Sequence, residues 1–356
     1  MEMVEARGYG ADAVRFALVS RCSQEQQDLR FSEKMIADVR NFSTKIWNAA
    51  RFVLMNLGEF DPRAPAPAPA ALSAADRWIR SRYARLVEDV TAHLDAYEFD
   101  RTARALYDFI WSEYCDWYLE MAKVDLQDAR IQDPGSRIRR HAVQHTLWYV
   151  LSHTMKLLHP IMPFITEEIW QHLPHDGPSI VISPWPQPLS GWTDPPAERE
   201  MNTLMAVVRA IRSLRTELSV PPAQRVPLSL RAGKEAQQIL ERTRPYLAVL
   251  ARVDPIRFDA PGTPLPAGSV TTVLAEAEIA IPLGGLIDVP AERSRLQKTL
   301  AATRMEMERL QQRLEDRDFT GRAPADVVSQ QRQRAEELHA KTRRLQELLA
   351  SLSSVK

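Results

Sequence analysis

Polar and basic side chains recur along one face of a helix predicted near the start of the chain. They are Arg40, Asn41, Thr44, Lys45, Asn48 and Arg51. Steps of three and four residues place most of them on a common side, away from the apolar Phe42, Ile46 and Ala49. Guanidinium and ammonium groups hold phosphates, and asparagine amides read base edges in a single-stranded loop. The pattern therefore predicts a nucleic-acid-binding face, although on spacing alone a solvated helix face is the more common explanation.

A metal site or a catalytic nucleophile has little support. His141, His145 and His153 lie on one predicted helix, and a four-residue step can bring two imidazoles to the same side. No HExxH motif and no nearby carboxylate accompany them. Cys22 and Cys115 have no catalytic signature around them, which favours structural burial. We therefore expect packed or solvated histidines, and no catalytic or metal-binding residue in this chain.

Neither paired carboxylates nor phosphate loops indicate catalysis. Glu167 and Glu168 are adjacent, and we expect them in the first turn of a helix, where its dipole after Thr166 stabilises them. The 12 glycines form no GxGxxG or GxxxxGK[ST] pattern. The sequence thus lacks the common nucleotide-binding turns.

The composition is that of an ordinary globular protein of two or three domains. Of the 356 residues, 45% are hydrophobic and 26% charged, with 46 Lys+Arg against 46 Asp+Glu. Zero net charge neither supports nor excludes nucleic acid, because a local basic face is enough. Two cysteines cannot build a disulfide scaffold or a four-cysteine zinc site. Without a long apolar run or a signal-like start, we expect a cytoplasmic protein that does not enter a membrane.

The first half of the chain is predicted to be an all-helical bundle that ends near Leu173. Apolar residues at helical intervals, Trp47 among them, predict at least two helices between Asp12 and Leu57. A Pro–Ala-rich connection at about 61–75 follows. Four further helices are predicted at Arg77–Tyr97, Phe99–Lys123, Ser136–Leu158 and Phe164–His172.

The middle of the chain differs from the first half in composition and in hydrophobic pattern. Proline-dense residues 174–196 are typical of a domain junction, with Ile180–Ile182 predicted as a short buried strand. Helical spacing follows at Met201–Leu218 and Glu235–Leu250. Alternating patterns predict strands at Val226–Arg231, Ile256–Phe258, Val270–Leu274 and Glu278–Pro282. We predict a small α+β unit.

Two heptad repeats separated by a break at 318–324 predict an antiparallel coiled-coil hairpin at the C-terminus. Helices of about 25 residues would project roughly 35–40 Å. The predicted seam packs Leu296, Leu300, Met307, Leu310 and Leu314 against Leu338, Leu345, Leu349 and Leu352. The predicted outward basic residues are Arg295, Lys298, Arg304, Arg309, Arg313 and Arg322.

Four stretches resemble, in order and spacing, the part of valine–tRNA ligases that follows their ATP-binding signature loop. They are Tyr9–Leu18, Arg40–Phe52, Leu106–Glu120 and Leu158–Trp170. Similar motifs occur in the leucine and isoleucine enzymes. The C-terminus favours valine, because isoleucine enzymes commonly end in a cysteine zinc module that two distant cysteines cannot build. The hairpin, opened by DVPAER at 288–293 and turned by FTGRAPA at 319–325, is similar to that of the valine enzymes.

The resemblance implies a mainly α fold that binds tRNA. It implies an anticodon-binding helical bundle at 24–182, an α+β junction at 183–285 and a coiled-coil arm at 286–356 that grips tRNA near its elbow. Residues 1–23 would be a remnant of the segment after the catalytic domain. The polar face from Arg40 to Arg51 would contact the anticodon, and the basic residues of the arm would contact the tRNA body.

The chain lacks the catalytic parts of such an enzyme. It has no HIGH-type motif, no KMSKS-type loop and no editing insertion, and Lys34-Met35-Ile36-Ala37 only begins like the loop. We expect a C-terminal portion, either a fragmentary gene product or half of a split enzyme, that is inactive alone. ATP with magnesium would serve the full-length enzyme, and no cofactor is expected in this chain. Its partners would be tRNA and a separate or missing catalytic domain.

Two other readings remain. A free-standing tRNA-binding protein acting in trans would be expected to lose the apolar pattern of residues 1–22. Val14, Phe16 and Leu18 are retained, which favours a missing partner domain. A purely structural coiled-coil adaptor leaves the polar face from Arg40 to Arg51 unexplained.

Overall fold

Residues of high helix propensity dominate the sequence, and the computed structural model of the chain is mainly helical. It describes residues 10–22, 32–128, 134–187, 189–260, 262–266, 268–286, 288–316, 321 and 323–353. They fall into two compact units, Met1–Asn202 and Thr203–Lys356. The first is a helical bundle, and the second contains a small sheet and a C-terminal helix pair, so the predicted fold class is confirmed.

The helices of the first unit follow the predicted apolar stripes. They are α1 (Ala11–Val19), α2 (Glu33–Leu57), α3 (Ala74–Asp95), α4 (Phe99–Asp108), α5 (Leu119–Asp128), α6 (Pro134–Leu158) and α7 (Pro163–His172). Large side chains such as Phe42, Trp78 and Leu106 are almost completely buried. Ser73 and Asp76 form a capping box at the start of α3, which satisfies backbone donors that the first turn leaves free.

A π-helical segment, Phe109–Tyr118, joins α4 to α5, so the helix predicted over 99–123 is interrupted by a wider turn. Two buried hydroxyl groups of this segment are satisfied by other helices. Tyr114 Oη donates to the Leu147 carbonyl at 3.0 Å, and Tyr118 Oη donates to Asp76 Oδ1 at 2.7 Å. These bonds tie the segment to α6 and α3.

Helix α1 is fastened to the start of α7. The Asp12 carboxylate accepts hydrogen bonds from the backbone N–H groups of Phe164 (3.3 Å) and Ile165 (2.7 Å), where the helix dipole favours an anion. Arg15 Nε donates to the Ile161 carbonyl at 3.0 Å. Phe16 is buried. Helix α1 is therefore packed within the first unit by polar and apolar contacts with other helices of this chain.

The buried strand predicted at Ile180–Ile182 is wrong. These residues form a single 3₁₀ turn in which Ile180 is buried, whereas Val181 and Ile182 are 67% and 69% exposed. The Glu167 carboxylate accepts from Ser179 Oγ and the Ile180 N–H, which fixes the turn against α7. Because α7 begins at Pro163, Glu167 lies beyond its first turn, and the predicted dipole role belongs to Asp12 instead.

The second unit contains a four-stranded mixed sheet of order β2-β1-β4-β3. Its strands, all predicted, are β1 (Val226–Ala232), β2 (Val253–Phe258), β3 (Ser269–Val273) and β4 (Ala277–Pro282). β1 pairs with β2 in parallel, Leu230 opposite Phe258, and with β4 in antiparallel, Leu230 opposite Ile279. Parallel neighbours need a crossover, which the chain between β1 and β2 supplies as helices.

The crossover is two helices, so the single helix predicted over Glu235–Leu250 is wrong. They are α9 (Lys234–Arg242) and α10 (Arg244–Leu250), separated at Thr243. Pro245 has no N–H to continue a helix but fits the first turn of a new one. Before the sheet, α8 (Pro195–Glu217) ends in this unit.

Two long C-terminal helices, α11 (Val289–Glu315) and α12 (Ala325–Ser353), pack along each other, and α12 also packs on β3. The buried seam residues include Leu296, Leu300, Leu338, Leu345 and Leu352. Leu348 is buried where Leu349 was predicted. An α-helix has 3.6 residues per turn, whereas a strict heptad repeat assumes 3.5, so the buried position shifts along the helix. Of the predicted seam, Met307, Leu310 and Leu314 are only half-buried. The pair thus has a deeply buried base and a thinner outer part.

Candidate nucleic-acid interface

Helix α2 presents a polar face opposite its buried stripe. The buried residues are Ile36, Val39, Phe42, Ile46, Ala49, Ala50, Val53 and Leu57. Five of the six predicted face residues are exposed: Arg40, Asn41, Thr44, Asn48 and Arg51. At a rise of 1.5 Å per residue, Arg40 and Arg51 lie about 16 Å apart along the axis. The face therefore offers two cations and two amides over the length of several nucleotides.

Lys45, the sixth predicted residue, is committed to a contact within the chain. Its Nζ lies 2.6 Å from Asp116 Oδ1 and 3.8 Å from the centroid of the Trp111 ring. Trp111 in turn stacks on Tyr107, with ring centroids 5.5 Å apart. An ammonium between a carboxylate and an aromatic face is stabilised by both. Lys45 thus braces α2 against the π-helical segment and is not among the outward groups.

Trp47 is one of the apolar residues that recur at helical spacing, but it is 38% exposed. It lies three residues after Thr44 and four before Arg51, which places it on the same side of α2 as both. Met55 follows one turn after Arg51 and is 79% exposed. An aromatic ring beside cations can stack on an unpaired base. Trp47 is the face residue that sequence reasoning missed, because an apolar residue at helical spacing is usually buried.

The three histidines of α6 belong to the packing of the bundle. Arg80 Nη2 donates to His145 Nδ1 at 3.1 Å, and Tyr149 lies between His145 and His153, stacked 3.8 Å from the latter. Burial lowers the pKa of His145 to about 4, with the Arg80 charge adding to the effect. Burial likewise lowers the pKa of His153 to about 4. Both rings are therefore neutral packed groups at pH 7, and His141 Nε2 contacts the Pro65 carbonyl.

The two cysteines differ. Cys115 is buried, and burial raises the pKa of its thiol to about 12, so it is an inert thiol. The expectation of burial is wrong for Cys22, which is exposed just beyond the end of α1.

The basic residues predicted on the arm have different surroundings. Lys298, Arg304, Arg309 and Arg313 are exposed along α11. Arg295 is held at the base, where its Nη2 donates to the Glu217 carbonyl oxygen at 2.6 Å and its Nε to Glu292 at 2.8 Å. Arg322 lies outside the described residues. The described part of the arm therefore carries an exposed basic series on one helix.

Two ion pairs of the arm were not predicted. Arg334 of α12 pairs with Glu306 of α11 at 3.0 Å, which links the two helices away from the base. Arg344 Nε donates to the Glu217 carboxylate at 3.0 Å. Opposite charges flanking a heptad seam are a weak signal for the first pair. The second joins residues 127 positions apart, for which the sequence holds no local signal.

Neither a metal centre nor a membrane span is found in the described residues. No group of three or more histidine, cysteine, aspartate or glutamate side chains in that part of the chain is arranged to hold a metal ion. None of its helices combines the length and apolar character that a bilayer crossing needs. The arrangement offers cations, amides and an aromatic ring, which suit binding rather than covalent chemistry.

Two family models match the chain. Residues 76–230 match the anticodon-binding domain of tRNA ligases. Residues 288–353, the two arm helices, match the tRNA-binding arm of valyl-tRNA synthetases.

Whole-chain relatives agree with these matches. The chain is 41% identical over 346 residues to the valine–tRNA ligase of Carboxydothermus hydrogenoformans, covering 97% of this chain and 38% of that protein. The enzymes of Geobacter sulfurreducens (40% over 353 residues) and Bacillus subtilis (38% over 352) align over 98% and 97% of the chain. The chain spans 38% of the length of each of these two relatives as well. By these matches the chain belongs to the valine–tRNA ligase family, in the part that carries the anticodon-binding domain and the tRNA-binding arm.

Proposed function

We propose that this chain is the tRNA-recognition part of a valine–tRNA ligase and that it contacts tRNA at two places. The exposed face of α2, with Arg40, Asn41, Thr44, Trp47, Asn48 and Arg51, binds the anticodon loop. The exposed basic residues of the arm, with Lys298, Arg304, Arg309 and Arg313, hold the tRNA body. The observation that carries the proposal is the exposed cation, amide and aromatic series on a helix whose opposite face is fully buried.

The two surfaces differ in chemistry, which supports a division of labour. On α2, Asn41 and Asn48 present donors and acceptors for base edges, and Trp47 provides a ring for stacking. The exposed part of α11 offers guanidinium and ammonium groups, which fix position on phosphates without reading sequence. Anticodon preference is therefore assigned to the bundle, and most of the phosphate contacts to the arm.

In the full-length enzyme, ATP with magnesium would activate valine on a catalytic domain that is not part of this chain. No residue of this chain is assigned to that step. The proposed partners are tRNA and that catalytic domain, and the proposed compartment is the cytoplasm.

The alternative, a tRNA-binding protein acting in trans, gains from the structure of α1. The retained Phe16 does not require a missing partner domain, because Phe16 packs inside the bundle of this chain. Asp12 and Arg15 also have their partners within it. Val14 is half-buried and Leu18 is 41% exposed, so burial within this chain does not explain these two residues in the same way. The pattern in α1 therefore does not separate the two candidates.

The test is filter binding of the purified chain to valine tRNA between about 50 and 200 mM salt. Affinity should fall steeply with salt, and Arg40→Gln with Arg51→Gln should reduce the log–log slope by about 1.4 if each side chain displaces one single-strand counterion. Arg137→Gln, an exposed arginine of α6, is the matched control. Replacing the anticodon should weaken binding to the unmodified chain and, by a similar factor, to the double variant, because the double variant keeps the asparagines and Trp47 that are proposed to contact the bases. If the affinity did not change with salt, phosphate contacts could not be the main source of binding.

A further inference from the structure

Glu217, the last residue of α8, contacts both arm helices at the base of the arm. Arg344 of α12 donates from Nε to the Glu217 carboxylate oxygen Oε2 at 3.0 Å. Arg295 of α11 donates from Nη2 to the Glu217 backbone carbonyl at 2.6 Å. Ser213 Oγ donates to the other carboxylate oxygen at 3.3 Å. We infer that Glu217 is a positioning residue that fixes the direction in which the arm leaves the sheet unit.

Apolar packing alone does not fix that direction. Leu296, Leu348 and Leu352 are buried at the base and hold the two arm helices in place. Burial of this kind is non-directional, whereas hydrogen bonds between charged groups depend on distance and angle. Arg344 also donates from Nη1 to the Thr271 carbonyl of β3 at 3.5 Å, so its guanidinium joins the arm to the sheet. The leucines thus attach the arm, and Glu217 with its two arginines orients it.

The geometry of the pair suits such a role. The side chains of Glu217 and Arg344 are 29% and 30% exposed, so the pair is partly shielded from water. In the outer part of the arm, Met307, Leu310 and Leu314 are only half-buried, so apolar packing there is thinner than at the base. A long lever amplifies a small rotation at its base. Loosening this pair therefore displaces the exposed basic residues of α11 from the phosphates they are proposed to hold.

The inference rests on the proposed function, because it assigns Glu217 to tRNA binding through the arm. The sign of the expected effect separates positioning from simple electrostatics. Glu217→Gln removes a negative charge close to a surface that binds an anion, so electrostatics alone predicts equal or tighter tRNA binding. If Glu217 positions the arm, Glu217→Gln should weaken binding, because only the fraction of molecules whose arm points in the right direction can bind tRNA.

The matched control is Glu347→Gln. Glu347 pairs with the same Arg344 at 3.2 Å and undergoes the same charge change, but it lies on α12 itself, three residues away. Its loss leaves the link between the arm and α8 intact. We expect Glu217→Gln to raise the Kd for valine tRNA about two- to fivefold, the range of one partly exposed ion pair. Glu347→Gln should leave the Kd unchanged or lower it.

A direct measurement of direction completes the test. Spin labels at Gln311→Cys on α11 and Gln238→Cys on α9, both exposed, in a Cys22→Ser background, report the distance from the arm to the sheet unit. The distance distribution should broaden in Glu217→Gln and stay as in the parent in Glu347→Gln. A double variant with Arg344→Gln should bind no worse than Arg344→Gln alone, since both remove the same contact. The cycle also separates this contact from any direct phosphate contact of Arg344.

The outcomes distinguish the two proposals. If the parent chain does not bind tRNA, the proposed function fails. If the parent binds, and Glu217→Gln leaves both the Kd and the distance distribution unchanged, Glu217 has no positioning role and the inference is overturned. Weaker binding of Glu217→Gln with an unaltered melting temperature and a broadened distribution supports it.

Discussion

Two packed histidines of α6 make the bundle sensitive to mild acid. His145 and His153 are neutral in the folded protein because burial lowers the pKa of each to about 4, against 6.5 for the free side chain. Unfolding exposes them, so the unfolded chain takes up more protons between these two values. The free energy of unfolding therefore falls as pH drops through about 6.5 and continues to fall towards 4.

The size of the effect follows from the shift in pKa. One pKa unit corresponds to about 1.4 kcal/mol, so at pH 5 each histidine costs about 2 kcal/mol of the stability present at pH 7. The two rings lie on either side of Tyr149, so protonating one disfavours protonating the other in the folded state. Even one such loss is a substantial part of the roughly 5–15 kcal/mol that stabilises a domain.

The variant that isolates the effect is His145→Asn. The asparagine oxygen replaces Nδ1 as the acceptor for Arg80 but does not titrate, so the loss of stability between pH 7 and pH 5 should shrink by about 2 kcal/mol. At pH 7 the variant should be less stable than the parent, because the ring no longer stacks on Tyr149.

Urea unfolding followed by tryptophan fluorescence measures this in the bundle. All 8 tryptophans lie between residues 47 and 192, so the signal reports the first unit only. Comparing parent and variant at each pH cancels the titration of groups that they share. If His145→Asn keeps the full pH dependence of the parent, His145 is already protonated or accessible in the folded state, and the reasoning from its burial is wrong.

Three further predictions test other parts of the molecule. Lys45→Met removes the ammonium between Asp116 and Trp111, so it should destabilise the bundle by about 1 kcal/mol in urea unfolding. The affinity for tRNA should change by less than about twofold. A large loss of affinity would show that Lys45 is part of the binding face. Replacing residues 307–335 by a short Gly-Asn turn should weaken tRNA binding. The melting temperature should shift by less than about 2 °C, because the buried base of the arm is retained. A larger shift would show that the outer part of the arm stabilises the fold. Valine-dependent ATP–pyrophosphate exchange by the purified chain should be undetectable, since none of its residues is assigned to the triphosphate, and measurable exchange would contradict that assignment.

Periodicity predicted most of the helices and all four strands, because it records burial directly. The buried stripe of α2 and the alternation of β4 need only local information, and both appear in the sequence as intervals of three to four and of two residues. Breaks inside such patterns are harder to place. The division at Thr243 depends on how the chain crosses between two parallel strands, and the π-helical segment depends on tyrosine partners in other helices.

The candidate site could be predicted only as far as burial decides it. Arg40 and Arg51 are exposed because Phe42 and Ile46 are buried, which spacing shows. Lys45 was misplaced because its partner Asp116 lies 71 residues away, and no local pattern records that pair. Trp47 was missed for the opposite reason, because a large aromatic ring at helical spacing is typical of a core residue. Glu217 was missed because its role arises only where three elements meet.

The attachment of α1 to α7 sets an order in time for synthesis on the ribosome. Asp12 and the backbone groups that it caps are separated by more than 150 residues of chain. At about 5–20 residues per second, the start of α7 is made roughly eight to thirty seconds after α1. Asp12 thus leaves the ribosome long before the backbone groups that it caps exist. During that interval the newly made α1 is a candidate substrate for chaperones that bind short apolar segments. Its contacts with α7 can form only when α7 emerges from the ribosome.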